Sequence, residues 1–156
     1  MNHTELFDAA IVAARQSPNQ VRHVGAVLAP SDGSAPIAAC NSFPAGVADT
    51  PQRHLADGRL IWMEHAERNA IYAAARNGRP TKGATLASTY FPCTDCARAI
   101  VQAGIRRLVT LAPDPTDPVW GPSFGPSETM LREAGVQIEL IARDLAAVHA
   151  ATMLPG

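Results

Sequence analysis

The strongest constraint on the fold is the alternation of short apolar segments with longer helical segments. Five apolar runs have the length of strands and cover 23–30, 37–40, 84–90, 105–112 and 136–141. Five segments with helical spacing or composition flank or separate them, at 4–16, 64–78, 93–104, 128–135 and 142–153. Only six turn residues join the first two runs, too few for a parallel crossover, so these two strands are predicted to be antiparallel. The order predicts a three-layer α/β/α domain around one mixed, five-stranded sheet.

Two segments of the chain show no sustained period. Residues 41–59 are rich in Pro, Gly, Asp and Ala and are predicted to form a long loop, which in a compact domain is often functional. Residues 113–127 contain five prolines and are predicted to be irregular or a lid. The chain has 156 residues and 47% hydrophobic content, so residues 1–156 are predicted to form a single domain.

Charge and cysteine content restrict the classes of partner and the compartment. Thirteen basic and fourteen acidic residues give a net charge of −1, which argues against a protein that binds nucleic acid through phosphate contacts and favours a small ligand. Charges interrupt the N-terminal segment, and there is no apolar run of membrane-spanning length, so we expect no membrane association and a cytoplasmic protein. Three cysteines in a reducing compartment make a disulfide framework improbable.

Two cysteines, Cys93 and Cys96, stand at the start of a predicted helix directly after Pro92. Their spacing places both on one face, and a helix N-terminus favours thiolates. The pair alone is compatible with a catalytic metal site, a structural metal clip or a thioredoxin-like redox dithiol. His65, 28 residues upstream, adds an imidazole, and no fourth Cys or His follows at zinc-finger spacing. Structural zinc sites are closed by four protein ligands, so three ligands predict an open, catalytic zinc site.

Glu67 is the candidate general base beside this zinc site. A catalytic zinc water still needs a group that takes its proton and delivers it elsewhere. In the middle of a helix, residues two apart lie on different faces. If His65 is near the helix cap and Glu67 is in the first turn, both side chains can reach one site, and this geometry is the prediction.

These residues resemble a known family. His65-Ala66-Glu67 followed by Pro92-Cys93-x-x-Cys96 is similar to the motif pair of zinc-dependent nucleobase deaminases. The flanking stretches "NSFPAGVADT", "EHAERNAI", "FPCTDCARAIVQAGI" and "EAGV" resemble the deoxycytidylate (dCMP) deaminase branch of the cytidine deaminase superfamily, over about residues 20–141. The resemblance implies a cytidine deaminase-like fold, one zinc ion per subunit, a pyrimidine substrate and a homo-oligomer.

The resemblance also implies roles for individual residues. His65, Cys93 and Cys96 correspond to the zinc ligands and Glu67 to the proton shuttle in the hydrolysis of dCMP to dUMP and ammonia. The substrate contacts would come from the side chain of Asn41 and the backbone of Ala66. Aromatic residues are candidates for the pocket wall. Phe91 and its neighbour Tyr90 are expected either in the wall or in the core. Trp120, with Ser123 and Phe124, is expected either in a lid over a flat ring or at a subunit interface.

The chain also departs from the family pattern. Ala39-Cys40-Asn41-Ser42 replaces the usual Gly-Tyr-Asn-Gly turn, which argues against an allosteric nucleotide site. Ala45 and Thr110 replace residues common in relatives, which weakens the expectation of monophosphate specificity. Arg22, Arg53, His54 and Arg59 are candidates for a phosphate contact or for solvated loop positions. Cys40 is expected to be a packed thiol, and a second metal bound by Cys40 and His54 is the alternative.

Other functions remain open at this point. The substrate could be a nucleoside, a free base or another aminated heterocycle, for example a guanine-like one. The chain could also be a non-catalytic zinc-binding module, although a structural site has no need for Glu67 beside an open coordination position.

Overall fold

A computed structural model describes residues 1–156. The helices are α1 (His3–Ala14), α2 (Gly58–Trp62), α3 (Ala66–Arg76), α4 (Thr94–Gln102), α5 (Gly121–Glu133) and α6 (Leu145–Thr152). The strands are β1 (Gly25–Ala29), β2 (Ile37–Cys40), β3 (Thr85–Ser88), β4 (Arg107–Thr110) and β5 (Gln137–Leu140). A 3-10 turn covers Pro51–His54.

The five strands form one mixed sheet in the order β2-β1-β3-β4-β5. β1 is antiparallel to both β2 and β3, whereas β3, β4 and β5 run parallel. The predicted hairpin and mixed sheet are therefore confirmed. Because β1 opposes β3, the start of β1 and the ends of β3 and β4 meet at one edge of the sheet, where Ala26 pairs with Ser88.

Helices cover both faces of the sheet, as the three-layer prediction requires. Successive strand residues point to opposite faces, so Leu86 and Leu108 pack against α3, α4 and α5, whereas Ala87 and Val109 pack against α1 and α6. All four side chains are fully buried. These two apolar layers hold α3 and α4 on the same face of the sheet, which decides where the functional side chains can meet.

The prediction of one long loop over 41–59 is wrong in part. The structure contains the 3-10 turn and α2 in and directly after this range, and an antiparallel bridge between Ser42 and Glu64 closes the segment at its base. Helices of four or five residues span little more than one turn, so they carry no periodic apolar pattern that a sequence can display.

The prediction of an irregular segment over 113–127 is wrong at its C-terminal end. α5 begins at Gly121, seven residues before the predicted start at Glu128. Pro122 lies in the first turn of α5, where a backbone N–H has no helical partner, so proline is tolerated there. Pro126 lies further inside the helix. Pro122 therefore indicated an irregular segment at a position that helix geometry accepts, whereas Pro126 stands where proline removes a helical hydrogen bond.

No helix combines the length and the apolar character that a membrane crossing requires.

The contact between β1 and α1 gives a test of the fold. A Cβ atom at Gly25 would lie 1.9 Å from the Ala10 carbonyl oxygen of α1. We expect Gly25→Ala to lower the free energy of unfolding by about 1–3 kcal/mol, because backbone atoms must shift to accept it. Chemical denaturation followed by circular dichroism measures this, and a single transition is expected if residues 1–156 form one domain.

Gly125→Ala in α5 is the matched control. A Cβ there has no neighbour within 4 Å. Alanine is the better helix former by about 1 kcal/mol, so this variant should be as stable as the parent or more stable. Equal stability of the two variants would contradict the close packing of α1 on β1.

Candidate active site

The site lies between the starts of α3 and α4. His65 is the N-cap residue of α3 and Cys93 the N-cap residue of α4, both with extended backbone. N-cap positions are usually occupied by residues whose side chains bond back to the helix, but neither His65 nor Cys93 makes such a bond. Their side chains instead meet each other, and Cys96 joins them from the first turn of α4.

The three side chains have the spacing of a zinc site. Nδ1 of His65 lies 3.4 Å from Sγ of Cys93 and 3.3 Å from Sγ of Cys96. All three ligand atoms lie within 4.8 Å of one another. Ligands at ordinary Zn–S and Zn–N distances in tetrahedral geometry place sulfur and nitrogen about 3.5 Å apart. One imidazole and two thiols in this arrangement fit a zinc ion.

The electrostatics of the cluster favour a thiolate. The hydrogen bond from Cys96 lowers the pKa of Cys93 to about 4, against the opposing effect of burial and with help from His65. Burial raises the pKa of Cys96. Burial opposes the charged form of His65, but its bond to Cys93 and the charge of Glu67 raise its pKa overall. The pair therefore supplies one ready anionic ligand, which suits a divalent cation.

Glu67 lies in the first turn of α3 with only 4% of its surface exposed. The predicted geometry is confirmed, because His65 occupies the N-cap position, Glu67 lies in the first turn, and both residues line one cavity. Ser88 Oγ, at the end of β3, donates to Glu67 Oε1 at 2.7 Å. Burial is the main cause that raises the pKa of Glu67. A carboxyl group with a raised pKa is suited to take up and release a proton near neutral pH.

A cavity of about 590 Å³, partly open to solvent, lies next to these groups. Its fifteen lining residues are Asn19, Arg22, Val24, Asn41, Arg59, Leu60, Met63, Glu64, His65, Ala66, Glu67, Tyr90, Phe91, Cys93 and Trp120. The four residues predicted to contact substrate, Asn41, Ala66, Phe91 and Trp120, are all among them. The contacts themselves stay a prediction.

Asn41 has a structural task besides its position in the cavity. Its Oδ1 accepts from the Val24 N–H at 2.9 Å, and its Nδ2 donates to the Arg22 carbonyl at 2.9 Å. The side chain thus ties the end of β2 to the segment that enters β1. These two bonds fix the orientation of the Asn41 amide. One N–H of Nδ2 and one lone pair of Oδ1 remain for a further partner.

Aromatic residues form one wall of the cavity. The ring of Trp120 meets the His65 imidazole edge to face, with centroids 5.0 Å apart. Tyr90 and Phe91 belong to both the wall and the core, because each also packs edge to face on Phe124. Phe124 is buried and does not line the cavity. Of the aromatic candidates in the Pro-rich segment, only Trp120 therefore reaches the site.

The cationic candidates divide into two groups. Arg22 and Arg59 line the cavity. Arg53 instead stacks over Trp62, with its Cζ 4.0 Å from the ring centroid, and His54 bonds to Asp49 at 2.5 Å. The structure brings neither His54 nor the half-buried Cys40 into a second group of three metal ligands.

Two residues of the site escaped the sequence analysis. Ser88 was one polar residue in an apolar strand, and this was the only signal of its contact with Glu67. Asp117 was one of several polar residues in the Pro-rich segment. Its carboxylate is buried beside the cavity and binds both Arg22 and Tyr90. An acidic residue shortly before a helix was its only signal.

Comparison with known proteins places this site in a family. Residues 1–112 match the family described as the cytidine and deoxycytidylate deaminase zinc-binding region. The chain belongs to this family. Membership of a zinc-binding family agrees with the three side chains that could hold a metal ion, His65, Cys93 and Cys96.

Individual members of the cytidine and deoxycytidylate deaminase family differ in how much they share with the chain. The deoxycytidylate deaminase of Enterobacteria phage T2 is 45% identical over 75 residues, which are 47% of this chain and 36% of the phage protein. The chain thus spans about a third of the length of this relative. An uncharacterized deaminase from the luxG 3' region of Aliivibrio fischeri is 29% identical over 142 residues, covering 89% of this chain and 92% of the relative.

Solved structures establish the fold. The dCMP deaminase of cyanophage S-TIM5 superposes with a TM-score of 0.68 at 24% identity, covering 89% of this chain and 96% of that protein. The predicted cytidine deaminase-like fold is therefore confirmed.

The metal site predicts a simple stoichiometry. The full chain, purified without chelator, should carry one zinc ion, and His65→Ala or Cys96→Ala should lose it, because two remaining ligands bind zinc weakly. Metal analysis by mass spectrometry measures the ratio. Cys40→Ala is the matched control and should keep one zinc ion. Two zinc ions in the parent and one in Cys40→Ala would instead support a second site.

Proposed function

We propose that this family member is a zinc-dependent hydrolase that removes the amino group of a cytosine nucleotide, converting dCMP to dUMP and ammonia. The observation that carries the proposal is the open three-ligand cluster with buried Glu67 beside it, next to a cavity that opens to solvent. The phage T2 relative is a deoxycytidylate deaminase, which supports the choice of nucleotide.

The reaction adds water across a carbon–nitrogen bond and expels ammonia. Zinc held by His65, Cys93 and Cys96 would activate the water that attacks C4 of the pyrimidine. Glu67 takes one proton from this water and delivers it to N3 of the ring. It then transfers the second proton to the amino group, and the C4–N4 bond breaks as the C4 carbonyl forms. The balance is cytosine plus water to uracil plus ammonia.

The proposed substrate contacts come from four residues that line the cavity. Ala66 is the first residue of α3, where backbone N–H groups have no helical acceptor, and it would donate to the ring carbonyl. Asn41 would contact the sugar with its remaining amide capacity. Phe91 and Trp120 would enclose the flat ring, and stacking of a base on an aromatic side chain contributes about 1–3 kcal/mol.

Two arginines support a substrate with a 5′-phosphate. Arg59 lines the cavity and has no carboxylate partner. Arg22 donates from Nη1 to Asp117, which leaves its other N–H groups for a ligand. Guanidinium groups suit phosphate because they offer paired donors.

A nucleoside, free base or other aminated heterocycle is the second candidate substrate. The observation in its favour is the ion pair of Arg22 with buried Asp117, which neutralises one of the two cations in the cavity. A non-catalytic zinc module is disfavoured by buried Glu67 beside the metal ligands. Nucleic acid is disfavoured by the net charge of −1.

An ammonia-release assay across amino-pyrimidines and amino-purines, with and without 5′-phosphate, tests the function. We expect dCMP to give the highest kcat/KM, about tenfold or more above deoxycytidine, because a contact between arginine and phosphate is charge-assisted. Equal values for dCMP and deoxycytidine would favour the second candidate. Zinc-loaded protein that releases no ammonia from any of these compounds would refute deamination.

Matched variants control this assay. Glu67→Gln should keep zinc and lose at least about 100-fold in kcat, since the amide cannot carry the proton. Arg59→Ala should raise KM for dCMP, whereas Arg53→Ala should not, because Arg53 lies outside the cavity.

We also propose a homo-oligomer in the cytoplasm. Leu60, Ile61 and Trp62 of α2 expose apolar surface, with Ile61 75% exposed, and the cysteines are all free thiols that suit a reducing compartment. Light scattering of the purified chain should give a mass above one protomer. Ile61→Glu should shift it towards the monomer, whereas a monomer at every concentration of the parent would contradict assembly.

A further inference from the structure

Asp117 binds four hydrogen-bond donors from three separate segments of the chain. It is 6% exposed and lies between β4 and α5. Its Oδ1 accepts from the N–H groups of Val119 and Trp120 at 2.9 and 2.8 Å. Its Oδ2 accepts from Arg22 Nη1 at 2.9 Å and from the Tyr90 hydroxyl at 2.6 Å. The two oxygens therefore serve two different parts of the cavity.

The Oδ1 side fixes the residue that stands against the metal ligands. Asp117 Oδ1 orders the backbone of Trp120, and the N–H of Gly121 donates to the Asp117 carbonyl at 3.0 Å. Trp120 then meets His65 with ring centroids 5.0 Å apart. One carboxylate oxygen thus helps to fix the position of the Trp120 indole next to His65.

The Oδ2 side fixes the cation at the other part of the cavity. Arg22 is bonded to Asp117 and its Cζ lies 4.1 Å from the centroid of the Tyr90 ring. The hydroxyl of that same Tyr90 also donates to Oδ2. Arg22 is thereby held by an ion pair on one side and an aromatic face on another, while its side chain stays 30% exposed.

Stability alone does not account for this cluster. Burial would raise the pKa of Asp117, but the hydrogen bonds from Trp120, Tyr90, Val119 and Arg22 hold it well below its usual range, so the group is charged. A buried ion pair is often no more stabilising than apolar residues of the same volume. The effect of the Asp117 carboxylate on geometry is more specific, because it orients two cavity residues, Arg22 and Trp120, at once.

We propose that Asp117 is a positioning residue that orients both ends of the substrate pocket, Trp120 through Oδ1 and Arg22 through Oδ2. The part of this inference that concerns the substrate rests on the proposed function. Through Trp120, Asp117 would position the reacting ring of the substrate. Through Arg22, it would position an anionic group of the substrate. Asp117 makes no hydrogen bond to the metal ligands, and it is not among the residues that line the cavity.

Two substitutions separate the two halves of the carboxylate. Asp117→Asn keeps one oxygen to accept from Val119 and Trp120, but it turns an N–H₂ group towards the donors of Arg22 and Tyr90. Asp117→Ala removes both acceptors. Tyr90→Phe removes only the hydroxyl donor, and Thr152→Val removes a buried hydroxyl bond outside the cavity as a matched control.

The experiment uses the zinc-loaded full chain in a Trp62→Phe background, so that Trp120 is the only indole. Kinetics with dCMP and deoxycytidine and the emission of Trp120 are measured for each variant. We expect Asp117→Asn to raise KM for dCMP about tenfold or more, with kcat, the KM for deoxycytidine and the emission within about twofold of the parent. Asp117→Ala should in addition lower kcat on both substrates about 10–100-fold and shift the emission to longer wavelength.

Tyr90→Phe should raise KM for dCMP less than Asp117→Asn does, and Thr152→Val should change neither kinetics nor emission. An unchanged or lower KM for dCMP in Asp117→Asn would overturn the Arg22 half. Identical kcat and emission in Asp117→Ala and the parent would overturn the Trp120 half. If Asp117→Ala does not fold, the Trp120 half is decided by Asp117→Gly in the same assay and by Trp120 emission in Val119→Pro, which deletes one Oδ1 donor.

The outcomes also separate this inference from the proposed function. If the parent releases no ammonia from dCMP, the proposed function fails, and the emission of Trp120 still decides whether Asp117 positions it. If the parent deaminates dCMP but Asp117→Asn and Asp117→Ala behave like Thr152→Val, the positioning role fails and the proposed function stands.

Discussion

The meeting of two helix starts at one edge of the sheet is the constraint on which the site depends. α3 and α4 both pack on the face of the sheet formed by Leu86 and Leu108, so their first residues converge near the end of β3. His65 and Cys93 each occupy an N-cap position without capping the helix. Because a helix N-terminus carries partial positive charge, thiolate and carboxylate are favoured there, and the same geometry brings metal ligands and Glu67 together.

The two buried carboxylates next to the cavity, Glu67 and Asp117, are each matched to hydrogen-bond donors. Glu67 is paired with Ser88, and Asp117 with four donors, in surroundings that are otherwise apolar. An unpaired polar group in such a place would cost stability, so each pair restricts its members to one orientation. The apolar core and the polar cavity wall are thus parts of one packing arrangement, in which Phe91 and Tyr90 contribute to both.

Much of the fold follows from local patterns. The order of elements, the antiparallel first pair and the parallel pairs with helical crossovers could be predicted because apolar period, turn length and helix-stop residues act over a few neighbours. The errors have the same origin. α2 is too short to show a period, and the start of α5 contains Pro122, which indicates a break in most contexts but is accepted in a first helical turn.

The sequence by itself determined the candidate metal ligands and the candidate base, since His65, Glu67, Cys93 and Cys96 stand in a spacing that leaves few other chemistries. Only the tertiary structure decided which further side chains join them. Arg22, Tyr90 and Asp117 lie in three segments up to 95 residues apart, and Ser88 meets Glu67 across the packing of α3 on the sheet. A hydrogen bond between distant segments leaves no periodic trace in either one. It exists because the apolar layers fix the separation and angle of the elements that carry the two partners.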